Sequence, residues 1–247
     1  NITASYNCAV GCECLYNNTT GFNNSALGYD SLYNNITGSL NTALGYQSLY
    51  NQRHGTSTVS IGAYSGNGTS GFSISSSTII GAFAGYGLTN GSENILIGSQ
   101  AGDNLTYGSK NIVIGTNIDA VSAVGTSTLN IGNAIFGRGI DGTGTTLSNV
   151  ALGIGTSTPS FYNLLTLSST TNPQLALSAG GGFGQWTFRN AGGNLYLATT
   201  TVAGSATTST SALTIDGASG AISIATSTVG CLNVNTLGLI FSATCSS

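Results

Sequence analysis

Apolar and polar positions along the first 153 residues follow one recurring pattern. An Asn or Thr, in most units, is followed by two further residues, then by an apolar residue and a glycine. The repeat glycines are Gly11, Gly28, Gly45, Gly62, Gly81, Gly98, Gly115, Gly132 and Gly153. The spacing from Gly11 to Gly28 recurs in most steps, while the steps that end at Gly81 and Gly153 are slightly longer. A fixed short period over nine units predicts stacked repeats.

The repeat unit is too short for a helical hairpin. Residues 20–35 align with residues 37–52 almost letter for letter, whereas helical hairpin repeats need more than about 30 residues. Helix formers are scarce, while Gly and Asn are frequent. We therefore expect two short strands per unit, one ending at the repeat glycine and one near Tyr-Asn-Asn, with turns at Asn-Asn and Thr-Gly.

The strand before each repeat glycine predicts a solenoid. Residues three and one before the glycine, such as Ile95 and Ile97, point to the same face of a strand. At about 4.8 Å per coil, nine coils would form a parallel β-solenoid roughly 40 Å long. Because Leu96 lies between these isoleucines, both faces are apolar, which favours burial between chains as well as within one.

The pattern changes after the ninth unit. Residues 156–247 show alternating apolar and polar positions interrupted by glycine turns, which is typical of strands. Residues 221–228 also echo residues 151–158, which indicates a second and longer repeat. We therefore expect an all-β protein with a β-solenoid domain at 1–155. A β-strand-rich C-terminal domain at 156–247 would follow, with a junction-forming tail at 237–245.

Two segments carry a family resemblance. Residues 41–49 and 94–102 resemble the head repeats of trimeric autotransporter adhesins and the similar repeats of phage tail-fibre-like and other bacterial surface proteins. The resemblance covers roughly residues 7–155. It implies a left-handed parallel β-roll in an intertwined homotrimer on a secreted fibre. The repeat period is longer here than in the adhesin heads, and no coiled-coil stalk or membrane anchor accompanies it, so autotransport itself is not predicted.

The composition narrows the classes of partner. Only 4% of the 247 residues are charged, and the net charge is −3, against about 25% charged residues in typical soluble domains. Four scattered Lys and Arg residues are too few for the basic patch of a nucleic-acid-binding protein. No apolar run approaches the ~20 residues of a membrane span, so we predict no membrane insertion. Because the chain contains no Met, we expect a processed or truncated start. We also expect an extracellular or cell-surface location.

The five cysteines are confined to the two ends of the chain: Cys8, Cys12, Cys14, Cys231 and Cys245. The three cysteines of the first unit occupy the positions that Ser25, Tyr29 and Ser31 hold in the second unit. A metal site is one interpretation, although Cys12 and Cys14 lack the spacing of zinc sites. Unrelated cysteines on one coil are another. We favour disulfides at the ends, across a subunit junction, because an odd count in a secreted chain indicates intermolecular pairing or a free thiol.

Few residues of the chain are suited to catalysis or metal binding. His54 is the only histidine and lies in a polar turn, and the carboxylates Glu13 and Asp30 share one repeat position without a cleft around them. We therefore predict no catalytic residue, metal or cofactor. Tyrosines recur at one position of the first three units, which predicts an aromatic ladder or, alternatively, a carbohydrate-binding platform: Tyr16, Tyr33 and Tyr50. Eight Asn-x-Ser/Thr sequons also occur, many at the same turn.

These features favour a structural subunit of an extracellular fibre or filament. Copies would assemble as a homotrimer and head to tail, with disulfide-stabilised junctions at which the tail of one subunit covers the first coil of the next. An adhesin or phage receptor-binding protein that recognises surface glycans is the main alternative. A surface depolymerase and an ice-binding protein are more distant ones.

Overall fold

The computed structural model contains only β-strands as regular elements within the residues that it describes. The described residues are 3–69, 71, 73–142, 150–159, 165–167, 175–177, 186–191, 193–199, 213–220, 222–224, 231–234 and 240–243. The strands are β1 (Cys8–Val10), β2 (Ser25–Leu27), β3 (Thr42–Leu44), β4 (Val59–Ile61), β5 (Ser73–Ser75), β6 (Thr78–Ile80), β7 (Asn90–Ser92), β8 (Ile95–Ile97), β9 (Ile112–Ile114), β10 (Thr128–Ile131), β11 (Ile135–Arg138), β12 (Ala151–Ile154), β13 (Leu165–Leu167), β14 (Leu175–Leu177), β15 (Trp186–Ala191), β16 (Asn194–Thr199), β17 (Leu213–Ile215), β18 (Ile222–Ile224), β19 (Cys231–Val234) and β20 (Ile240–Ala243).

The repeats stack as a parallel ladder. Eight strands, β1, β2, β3, β4, β6, β8, β9 and β10, pair in parallel, and each repeat residue lies opposite its equivalent in the next coil. Leu27, for example, pairs with Leu44. The predicted all-β fold and parallel β-solenoid of about nine coils are therefore confirmed.

The ladder changes direction at its C-terminal side. β11 pairs antiparallel with β10, and β12 pairs antiparallel with β11, so that Gly153 lies opposite Phe136. The sheet ends at β13. The last glycine step, from Gly132 to Gly153, is longer than the others because it accommodates this additional strand.

The repeat glycine is required by backbone geometry. Gly45 has φ +133°, and a Cβ at this position would lie 2.6 Å from the carbonyl oxygen of Gly62 in the next coil. The same φ range and the same close approach recur in the glycines from Gly11 to Gly98. A side chain there would force neighbouring coils apart, so the glycine spacing records the stacking of the coils.

The prediction of a second strand in each unit is wrong for most coils. The segment after the repeat glycine is a turn, in which Leu32 is fully buried at φ +52° and Leu49 at φ +53°. This left-handed conformation turns the chain so that a large apolar side chain enters the core. Among the coil residues that the structure describes, a second strand forms in β5 and β7, which pair in parallel with each other.

The core is filled by the central residue of each strand. Leu96 is 0% exposed, whereas the flanking Ile95 is 38% exposed, because alternate side chains of a strand point to opposite faces. Val113 is buried in the same way as Leu96. From β2 to β9, each strand of the parallel ladder thus presents its central residue to the core and its two flanking residues to the surface. In β1 all three residues are exposed.

Buried asparagines form a polar ladder beside the apolar core. The Asn41 backbone N–H donates to Asn24 Oδ1 at 3.0 Å, and Asn24 Nδ2 donates to the Gly38 carbonyl oxygen at 2.8 Å. Both asparagines are completely buried. Each side chain therefore links its coil to the adjacent one, which satisfies amides that would otherwise be costly to bury.

The chain divides into two compact units, Asn1–Thr166 and Leu167–Ser247. Within the described part of the second unit, β14 to β18 form an antiparallel sheet in sequential order, and β19 pairs with β20. Thr187 lies buried in this sheet and donates from Oγ1 to the Ala198 carbonyl oxygen at 3.1 Å.

Candidate interaction site on the first coil

The first coil carries three free thiols. Each lies at a repeat position that a non-cysteine residue occupies in the second coil. Cys8 lies in β1 opposite Ser25 and is exposed, Cys12 is also exposed, and Cys14 is half-buried. The sequence predicted all three as candidates for junction disulfides, and the structure gives them different surroundings.

Cys14 belongs to the interior of the coil. Its Sγ donates to the carbonyl oxygens of Gly28 at 2.7 Å and Val10 at 3.3 Å, and its side chain packs against the core cluster. Ser31, its repeat equivalent, also donates to a carbonyl of the next coil, that of Ala43. Burial raises the pKa of the Cys14 thiol, which lowers its thiolate fraction and hence its reactivity. Cys8 and Cys12 are therefore the better placed thiols for a bond to another chain.

The two remaining cysteines lie near the C-terminal end of the chain. Cys231 is the first residue of β19, and Cys245 lies outside the described residues. The predicted pairing between the two ends remains a prediction.

Two aromatic columns run along the solenoid from the first coils. In one column, the ring centroids of Tyr16 and Tyr33 are 5.2 Å apart with an interplanar angle of 3°. The Tyr33 and Tyr50 rings are also 5.2 Å apart, at 15°. The other column begins with Tyr29 and Tyr46, whose centroids are 5.5 Å apart, and continues through Tyr64 and Phe83.

Stacking decides what these columns present to a ligand. In the Tyr16–Tyr33–Tyr50 column, each ring face lies against the next ring, so edges and hydroxyl groups point outward. A sugar ring packs against an aromatic face, so this column is poorly suited to be the alternative carbohydrate platform. Tyr16 is the outermost ring and is 65% exposed. One further aromatic side chain stacked on it would extend the column in an offset arrangement.

Two carboxylates, Glu13 and Asp30, act electrostatically on a tyrosine of each column. Asp30 is only 6% exposed, its Oδ2 accepts from Gln47 Nε2 at 3.0 Å, and its buried Oδ1 has no protein partner. The charge of Asp30, followed by that of Glu13, raises the pKa of the Tyr29 phenol. The first coils therefore carry a local negative potential next to their tyrosines.

Sequence reasoning missed a second carboxyl pair. Burial, followed by the charge of Asp119, raises the pKa of Asp103. Asp119 also lines a cleft of about 390 Å³ together with Asn130, Asn133 and Arg138. The separation of the two aspartates along the chain falls just short of the repeat period, so they do not share a repeat position, and an alignment of the units does not pair them. A search that allowed a slight slippage after the glycine would have found them.

The other sequence candidates occupy isolated positions. His54 is exposed, and its Nδ1 lies 2.8 Å from Thr37 Oγ1. Among the described residues, no group of three or more His, Cys, Asp or Glu side chains is placed to hold a metal ion. In the same part of the chain, no helix is long and apolar enough to cross a membrane.

Comparison of the chain with protein-family models, curated proteins and solved structures finds no match.

Proposed function

We propose that the protein is a structural subunit of an extracellular fibre, in which copies join head to tail through the first coil. The observation that carries this proposal is the concentration of exposed apolar and thiol groups on that coil. Tyr6 is 87% exposed, Val10 54% and Tyr16 65%, and they lie on the coil that carries the exposed Cys8 and Cys12. Large exposed apolar patches on a soluble protein mark association surfaces.

Backbone geometry supports a partner strand at this position. In successive coils the repeat glycine donates its N–H to the preceding coil: Gly28 to the Val10 carbonyl oxygen at 3.0 Å and Gly45 to that of Leu27 at 2.8 Å. By the same rule the Gly11 N–H points away from β2. Within the described chain β1 pairs only with β2. A strand from a second copy would supply the acceptor and continue the ladder.

The outer strand face supports lateral association of copies. Leu27, Leu44, Val59 and Ile95 are between 36% and 48% exposed along one side of the ladder. This side extends over seven coil steps, about 34 Å at the usual strand spacing. With only 11 charged side chains in the whole chain, little opposes packing of this face against a copy. We adopt three copies around an axis from the family resemblance and assign the assembly no catalytic activity, cofactor or nucleic-acid partner.

Covalent junctions fit an extracellular location, because disulfides persist in oxidising compartments. The proposed bond joins Cys8 or Cys12 of one copy to a C-terminal cysteine of the next. Ser25 and Ser31 show which residue each repeat position accepts, so Cys8→Ser and Cys14→Ser are conservative changes. Cys14→Ser is the matched control, because Cys14 is directed into its own coil.

The test combines electron microscopy with gels run under oxidising and reducing conditions. Wild-type protein should form filaments and a ladder of covalent multimers that reductant removes. The double variant Cys8→Ser/Cys12→Ser should lose the covalent ladder, and Cys14→Ser should keep it. Particles that stay monomeric at all concentrations, with or without reductant, would disprove the proposal. Finite trimers that bind surface glycans would favour the adhesin alternative.

A further inference from the structure

The eight sequons of the chain differ in whether a sugar can be attached to the folded protein. Asn1 lies outside the described residues. The asparagines of the other seven are Asn17, Asn18, Asn23, Asn35, Asn67, Asn90 and Asn104. Sequence alone treats them as equivalent, because each has a Ser or Thr two residues later.

Three of these asparagines are part of the interior. Asn18 is 1% exposed, Asn35 0% and Asn67 6%. Asn35 Nδ2 donates to Asn18 Oδ1 at 3.1 Å and to the Gly38 carbonyl oxygen at 2.9 Å. Asn67 Nδ2 donates to the Gln47 carbonyl oxygen at 3.2 Å. A sugar on any of these nitrogens would have to occupy the core, so their modification is incompatible with the fold.

Two further asparagines are held between coils. Asn17 Nδ2 donates to Asn34 Oδ1 at 3.2 Å. Asn104 Nδ2 donates to the Ala120 carbonyl oxygen at 3.1 Å, while its Oδ1 accepts from the Ala120 N–H at 2.8 Å. Asn17 is exposed, but its amide nitrogen is engaged with the next coil, whereas Asn104 is half-buried and held through both its amide nitrogen and its amide oxygen.

Asn23 and Asn90 have the opposite properties. Both are exposed, and within the described chain neither side chain takes part in a hydrogen bond. Asn23 lies at the repeat position of Leu40, which is 53% exposed, and the Leu40 N–H donates to the carbonyl oxygen of Phe22. The Asn90 N–H donates to the Thr106 carbonyl oxygen, beside Tyr107, which is 63% exposed. Each accessible amide therefore adjoins exposed apolar side chains on a surface with few charges.

We propose that the folded protein carries N-linked sugars at Asn23 and Asn90, where they cover these apolar patches. This inference rests on the extracellular location in the proposed function. The donor class is a sugar linked to a polyprenyl diphosphate. The amide nitrogen Nδ2 bonds to the anomeric carbon, the bond from that carbon to the diphosphate oxygen breaks, the diphosphate leaves, and the amide loses one proton. Modification follows folding, because a transferase acting on the extended chain would also meet Asn18 and Asn35.

The test is site-resolved mass spectrometry of the native protein. Elastase is a suitable protease, because the chain has only four Lys and Arg residues, and electron-transfer fragmentation keeps a sugar on its asparagine. Peptides containing Asn23 and Asn90 should carry sugar, and those containing Asn18, Asn35 or Asn67 should be unmodified. Absence of sugar from both predicted sites would overturn the inference, as would sugar at any of the three buried asparagines.

Variants separate a modification site from a structural residue. Asn23→Gln and Asn90→Gln should each lose the sugar of one site while thermal unfolding of the enzymatically deglycosylated chain is unchanged. Asn35→Gln is the control and should lower the unfolding temperature with no change in sugar mass. Filaments scored by electron microscopy on the same preparation keep the two proposals apart. Unmodified filaments would contradict the sugar sites alone, whereas glycosylated monomers would contradict the fibre alone.

Discussion

The substitution Gly45→Ala tests whether the repeat glycine is required by inter-coil stacking. A Cβ at Gly45 would lie 2.6 Å from the carbonyl oxygen of Gly62, and φ is +133°. Gly132 is the matched control, because it is a repeat glycine at φ +59° with no atom within 4 Å of its added Cβ. The two variants share the chemical change, and they differ both in backbone φ and in whether a neighbouring coil obstructs the methyl group.

We expect Gly45→Ala to lower the free energy of unfolding more than Gly132→Ala does. In Gly45→Ala, backbone strain costs about 1–3 kcal/mol. Relief of the contact would separate the third and fourth coils and stretch the Gly62-to-Leu44 and Tyr64-to-Tyr46 hydrogen bonds, both 2.8 Å, at about 0.5–1.5 kcal/mol each. We expect a total loss of about 2–6 kcal/mol. Gly132→Ala places an L-residue in the left-handed region without a collision, so we expect about 1–2 kcal/mol.

Urea unfolding followed by circular dichroism measures the difference as a shift of the midpoint at constant slope. The solenoid is close to a one-dimensional stack, so hydrogen exchange of the amides in β2 to β4 should show whether the loss is local to the altered coil. Equal stability of the two variants, within about 1 kcal/mol, would refute the stacking argument. The glycine would then be retained only for its backbone conformation.

The remaining predictions concern titration and thiol reactivity. Burial raises the pKa of Asp103, so stability falls as pH rises from the ordinary Asp value near 4 through the raised folded value; Asp103→Asn should be more stable than wild type at pH 7 in urea titrations. The contribution of Asp216 to stability has the opposite pH dependence, because hydrogen bonds from Ser219 lower its pKa. Asp216→Asn should be less stable than wild type at pH 7, and its stability should fall less than that of wild type on acidification. The Asp30 charge raises the pKa of Tyr29, so Asp30→Asn should lower that pKa in a carbon-13 NMR titration of the tyrosine ring. In native protein Cys14 should react with iodoacetamide more slowly than the two exposed cysteines of the first coil, and equal rates would contradict its inward placement.

The parts of the fold that depend on backbone contact could be predicted from sequence. A glycine whose Cβ would collide with the next coil cannot vary, so its spacing identifies the coil length and the parallel ladder. The turn after it could not be predicted, because Leu32 and Leu49 adopt a left-handed conformation that leucine rarely adopts on its own. Tertiary burial of the side chain outweighs that local cost, and no local pattern signals it.

The candidate site was predictable in position but not in detail. Alignment of the units locates Cys8, Cys12 and Cys14 on the first coil, yet it cannot show which thiol faces inward. The rule that alternate side chains of a strand point to opposite faces does not apply to Cys12 and Cys14, because both residues follow the strand and lie in a turn. The contact between Asp103 and Asp119 was missed for a related reason, since a small slip in the turn moves a side chain out of the aligned position.

Core packing shows that the coils are not interchangeable, although one repeat motif describes them. In the second coil a small Ala26 at the strand centre is combined with a buried Leu32 from the turn. In the sixth coil a large Leu96 occupies the strand centre, and the turn residue is Gly102, whose added Cβ would lie 2.9 Å from Leu96 Cδ2. The same interior volume is therefore filled from the turn in one case and from the strand in the other. Core side chains also reach the adjacent coils, as Leu49 and Ile79 do at Gly66, so exchanging one coil for another would leave the core underfilled or overfilled.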